Sequence, residues 1–166
     1  MIKKDFNKLF RNFIFGVEDS LVSSVGLLSG IAAAGATKST IVLTGIVLIF
    51  VEAFSMSVGS ILSDHSEREL EKHEDIPIKG SIAGGVVMLF SYFIAGFIPL
   101  SPYMIFARDT AFWLSIVATL IGLYILGYVS GKITKTHPTK EAIEMFLLGG
   151  AAVGVGVIVG LLLKVS

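Results

Sequence analysis

Five stretches of membrane-spanning length, rich in apolar residues, take up nearly all of this 166-residue chain. They cover roughly residues 13–34, 40–62, 81–100, 110–130 and 142–163. About 20 apolar residues in a helix cross the hydrocarbon core of a bilayer. Lipid offers no water to an unpaired peptide group, so runs this long cross as helices, not strands. The predicted fold class is all-α: a polytopic membrane protein, one domain over residues 1–166, with a short acidic insert at 63–79. All four prolines (Pro77, Pro99, Pro102 and Pro138) are read as falling between the spans, Pro99 being assigned to the turn at the very edge of the third, where a helix breaker belongs.

Composition agrees. Charged residues make up 16% of the chain, against about 25% in an ordinary soluble domain. Five spans leave room for short loops and one insert, and none for a soluble catalytic domain. A formal net charge of zero suggests no nucleic-acid partner. With no cysteine there is no disulfide framework, thiolate metal ligand or cysteine nucleophile. No Ser/His/Asp or phosphate-loop signature points to an enzyme. The lysines before the first span resemble a signal peptide only superficially, because the apolar run is too long and carries Glu18 and Asp19.

Basic residues set the expected orientation. With the N-terminus in the cytoplasm, Lys3, Lys4, Lys8, Arg11, Arg68, Lys72, Lys79, Lys132, Lys135 and Lys140 are inside, and only Lys38, Arg108 and Lys164 are outside. That asymmetry follows the positive-inside rule. Tyr103 and Trp113 then belong near the outer interface, Tyr124 and Tyr128 toward the inner one.

Three carboxylates fall inside predicted spans: Glu18, Asp19 and Glu52. Each costs about 2.5–3.5 kcal/mol at the bilayer centre, so each must face protein or water, protonate, or meet a cation. Glu18 points about 100° away from Asp19 on the helix wheel, so the two do not line one narrow path. Taking the span centres near Ser24 and Val51, Asp19 and Met56 both lie about 7–8 Å to the cytoplasmic side of the midplane. Glu52 is one turn deeper, on the same face as Met56. Carboxylate with thioether is a mixed hard and soft donor set, suited to Fe2+, Mn2+, Co2+ or Zn2+ more than to Ca2+ or Mg2+. Carboxylates also take up the protons of a coupled antiport, because binding a metal requires losing them. The structural alternative is a set of protonated carboxyls that only join helices.

No breaker separates the second span from the insert, so one long helix is expected to run on toward Pro77. Glu67, Glu71 and Glu74 would continue the face of Glu52 and Met56, and His65, Glu69 and His73 would form a second stripe. Either stripe would gather cations; the plainer alternative is a solvated charged helix. Gly26 and Gly30, Gly150 and Gly154, and Gly156 and Gly160 are each one turn apart. Such pairs let helices approach closely, either inside one bundle or along a dimer seam.

These residues resemble the vacuolar iron transporter family. Arg11-Asn12-Phe13-Ile14-Phe15-Gly16-Val17-Glu18-Asp19-Ser20-Leu21 is similar to the family's opening motif, and Ala53-Phe54-Ser55-Met56-Ser57-Val58-Gly59 to its Ser-Met segment. Ser66-Glu67-Arg68-Glu69 resembles the start of its insert, Ile98-Pro99-Leu100-Ser101-Pro102-Tyr103 a turn after its third span, and Leu148-Gly149-Gly150-Ala151-Ala152 its fifth span. The resemblance implies a homodimer of five-helix protomers with no permanently bound cofactor, exporting Fe2+ or Mn2+ from the cytosol in exchange for H+. It implies that Asp19 and Met56 line the path. The reduced insert resembles short prokaryotic-type members, which implies the cell membrane of a prokaryote. The chain departs from the family pattern at Asn12, Ser20 and Leu48. The rival functions are a non-transporting membrane scaffold and a carrier of a different cation.

Overall fold

A computed structural model describes the backbone of residues 2–163 and the side chains of residues 6–163. Lys3, Lys4 and Lys164, which count toward the charge asymmetry, lie outside the described side chains. The chain forms five α-helices: α1 Ile2–Ala33, α2 Lys38–Lys72, α3 Ile82–Ile105, α4 Arg108–Thr134 and α5 Pro138–Leu162. A single 3-10 turn, Ile78–Gly80, lies between α2 and α3. All five helices are long and apolar enough to cross a membrane.

Helix α1 is the most enclosed, packing on α3 and α5 most extensively and on α4 and α2 less. Helix α2 leans mainly on α3. The outer faces of α2 and α5 stay bare, with Leu43, Phe54, Leu147 and Leu162 all more than 60% exposed. So much apolar surface is untenable in water and ordinary against lipid tails.

The junctions follow local chemistry. Thr37 caps α2 through its hydroxyl and the Thr40 amide, at 3.2 Å. Gly35 supplies a φ of +93° just before it. Helix α4 ends on Lys135 in the left-handed region, and Pro138 opens α5 at its first turn, where no amide is needed.

One expectation needs correction. Pro99 and Pro102 do not lie between spans; both are inside α3, which runs on to Ile105. Proline at 102 leaves the Ile98 carbonyl without its helical partner, and the Ser101 hydroxyl takes it at 3.1 Å. From α4, Ser115 donates to the Pro99 carbonyl at 2.7 Å. The Ser101 hydroxyl thus makes Pro102 tolerable within a membrane helix, while the Ser115 bond ties α4 to α3. Tyr103, in the last turn of α3, is wholly enclosed, in a core with Leu28, Ile41, Ile49, Leu100 and Ala111.

The glycine pairs separate by environment. A Cβ on Gly30 would sit 2.7 Å from the Gly156 carbonyl oxygen, and one on Gly156 or Gly160 would strike the α1 backbone. Gly26, Gly30, Gly156 and Gly160 therefore join α1 to α5 within one chain. Gly150 and Gly154 face open space.

Candidate functional site

Asp19 on α1 and Glu52 on α2 are both half-buried and lie within electrostatic range of each other. Both also act electrostatically on Tyr92 of α3. Tyr92 is fully buried, and its hydroxyl shares a 2.8 Å hydrogen bond with Ser23, one turn beyond Asp19 on α1. Ser20 donates to the Tyr92 backbone carbonyl at 2.7 Å, so the residue beside Asp19 ties α1 to α3 at this level. Two carboxylates from different helices thus lie within electrostatic range of one buried tyrosine. Glu18, also half-buried, lies within range of the charge of its neighbour Asp19.

Met56 lines a cavity of about 600 Å3 between α1, α2 and α3, with Arg11, Asn12, Ser55, Ser60, Ser63 and Met88 among its walls. Two thioethers thus share one space, since Met88 presses against Gly16 from α3. Asn12 donates to Ser60 at 2.9 Å across the same cavity.

Helix α2 continues unbroken out of the span to Lys72, which places Glu67, Glu69 and Glu71 on it. It then stops. His73 is the cap, in the left-handed region at φ 55°, and Glu74 lies beyond it. His73 and Glu74 therefore do not continue the helical stripes predicted for them; the chain has turned before reaching them. They border a shallow groove with Ser66, Glu69, Leu70 and Asp75. His65 is 3.3 Å from Glu69, one turn on, and Glu67 is 3.6 Å from Lys8 of α1. Among the described residues, no three of His, Asp and Glu gather into a metal-binding group.

Sequence reasoning missed Tyr92, Met88 and Asp64. Asp64 has a side chain only 9% exposed and pairs with Lys8 at 2.7 Å and with Arg68 at 2.8 Å. Burial pushes its carboxyl up, but the hydrogen bond from Lys8, the nearby Ser81 hydroxyl and the charges of Lys8 and Arg68 together outweigh that and hold it below the usual carboxylate range. A buried tyrosine in the middle of a span was the available signal for Tyr92. Nothing local distinguished Met88 or Asp64.

The family model described as the VIT family matches residues 10–79 and 77–161. The chain belongs to the VIT family. The two matched stretches meet in the polar connector after α2. Vacuolar iron transporter 1 of Arabidopsis thaliana is 26% identical over 206 aligned positions, covering 87% of this chain and 82% of the relative. Vacuolar iron transporter 1 of Oryza sativa subsp. japonica is 25% identical, covering 87% and 81%. The vacuolar iron transporter of Plasmodium falciparum (isolate 3D7) is 22% identical, covering 93% and 82%. Each alignment is longer than this chain's own 166 residues, so these relatives hold segments that the chain lacks. Family membership makes this VIT-family chain an integral membrane protein and places it with transporters, not enzymes.

Proposed function

We propose that this protein carries Fe2+ or Mn2+ out of the cytosol in exchange for protons, with Asp19, Glu52 and Met56 as its intramembrane site. The observation that carries the reading is the Asp19–Glu52 pair: two acids on separate helices, placed where lipid penalises uncompensated charge. A divalent cation relieves both charges at once. Protons relieve them when the cation leaves, which is the chemical basis of exchange. Met56 and Met88 add soft donors in the adjoining cavity, which favours a borderline transition ion over Ca2+ or Mg2+.

In this reading the N-terminus is cytoplasmic, by the asymmetry of basic residues. Glu67, Glu69, Glu71, Glu74, His65 and His73 then lie at the cytosolic mouth and raise the local concentration of cations there. The protein works as a homodimer, in which a second copy doubles the donors that one chain leaves short of a full coordination shell. Its short insert favours residence in the cell membrane of a prokaryote, although the relatives named above are eukaryotic.

The test is Fe2+ and Mn2+ flux into proteoliposomes across a pH gradient, wild type beside Asp19→Asn. Flux in the wild type, lost in the variant, is expected. Equal behaviour of the two, as a scaffold would give, refutes the proposal.

A further inference from the structure

Asp64 is the meeting point of three elements. Lys8 reaches it from α1 at 2.7 Å, and Arg68 reaches it from the next turn of α2 at 2.8 Å. The Arg68 guanidinium lies directly over Gly80, where any side chain would collide with it. The buried Ser81 hydroxyl, at the start of α3, lies close to the Asp64 carboxylate without closing a hydrogen bond. One nearly enclosed carboxylate therefore joins the polar ends of α1, α2 and α3. Beside it lies a cavity of about 260 Å3, lined by Lys8, Asn12, Asp64, Arg68 and Gly84 among others. Asn12 is a wall of this cavity and also of the larger one that holds Met56. The ion-pair cluster thus stands next to the Met56 cavity, with one side chain between them.

We propose that Asp64, clasped by Lys8 and Arg68, is a latch that keeps the polar ends of α1, α2 and α3 together and closes the cytosolic approach to Met56. The inference rests on the transport reading above and adds a moving part to it. Alternating access needs these helix ends to separate. Rupture of an enclosed ion pair leaves charges that need new partners or water, so the closed arrangement is favoured until they are supplied. Weakening the latch raises the fraction of open protein and lowers the apparent dissociation constant in proportion.

The chain has no cysteine, which makes a direct test practical. A Cβ at Gly84 would lie 2.6 Å from the Asn12 amide nitrogen, so the double variant Asn12→Cys/Gly84→Cys brings two thiols together across α1 and α3. Mn2+ flux is measured in proteoliposomes for the wild type and for this pair, oxidised and reduced. The oxidised pair is expected to fall to background and to recover on reduction. Asp64→Asn and Lys8→Gln are each expected to lower the half-saturating Mn2+ at the cytosolic face about threefold, as a threefold larger open fraction requires, and the double variant no further. Undiminished flux through the oxidised pair, with its disulfide verified by mass, overturns the latch while leaving transport standing. An unchanged half-saturation in a folded Asp64→Asn does the same. No flux in the wild type overturns the transport reading and the latch with it.

Discussion

The hydroxyls of Ser23 and Tyr92 share a 2.8 Å hydrogen bond between α1 and α3, one turn from Asp19. Tyr92 is fully buried there and Ser23 half-buried, so the Tyr92 hydroxyl has no water to take the place of Ser23. Tyr92→Phe deprives Ser23 of this bond, and Ser23→Ala strands Tyr92. Each is expected to lower stability by roughly 0.5–1.5 kcal/mol, with the double variant less destabilised than the sum. Thermal unfolding in detergent of both single variants and the double variant measures the coupling.

The α1–α5 seam predicts a contrast between glycines that look alike in sequence. Gly156→Ala drives a methyl into the Gly26 carbonyl, and Gly30→Ala meets the Gly156 carbonyl at 2.7 Å. Overpacking of this kind costs about 1–3 kcal/mol. Gly150→Ala and Gly154→Ala enter open space and are expected to be neutral or to stabilise α5 by up to about 1 kcal/mol, the helix preference of alanine over glycine. Melting temperatures of the four variants decide the matter; a uniform response would contradict the seam.

Asp64 predicts a pH dependence with a definite sign. Its carboxyl is held below the ordinary value of 3.8, so the unfolded chain binds that proton more readily than the folded one. The stability it contributes is complete above the unfolded value, near pH 4, and is lost as pH falls through the lower folded value. Asp64→Asn should therefore melt below the wild type at pH 7, and the gap should narrow as the pH is taken below about 4. A gap that widens on acidification would show that the ion pairs are not its source.

The five spans were legible because spanning length and apolar composition are local properties, and α2 was foreseen as continuous because no breaker interrupts it. The end of that helix was not foreseen. His73 and Glu74 were assigned to stripes that the turn at His73 cuts short. Pro99 and Pro102 also lie within a helix, because membrane helices tolerate proline where a freed carbonyl finds another donor, as the Ile98 carbonyl does in the Ser101 hydroxyl. Asp19, Glu52 and Met56 stood out as polar or soft residues in apolar surroundings. Met88 and Tyr92 owe their places to distant partners on α1, and Asp64 to Lys8, 56 residues away, since its local pairing with Arg68 looks like that of any solvated helix surface. Which glycine pair packs inside the chain likewise depends on the neighbour, not on the spacing.

The central claim is that Asp19 and Glu52 act as one exchange site for a divalent cation and protons. Simultaneous recording of Mn2+ entry and internal pH in proteoliposomes tests it most directly, with wild type, Asp19→Asn, Glu52→Gln and the double variant compared. The account predicts Mn2+ movement tied to proton movement in the opposite direction, both reduced at least about tenfold by either substitution and little further by the pair, as expected of residues that act as a unit. Mn2+ flux that persists in the double variant, or that proceeds without any proton counterflow, would contradict it.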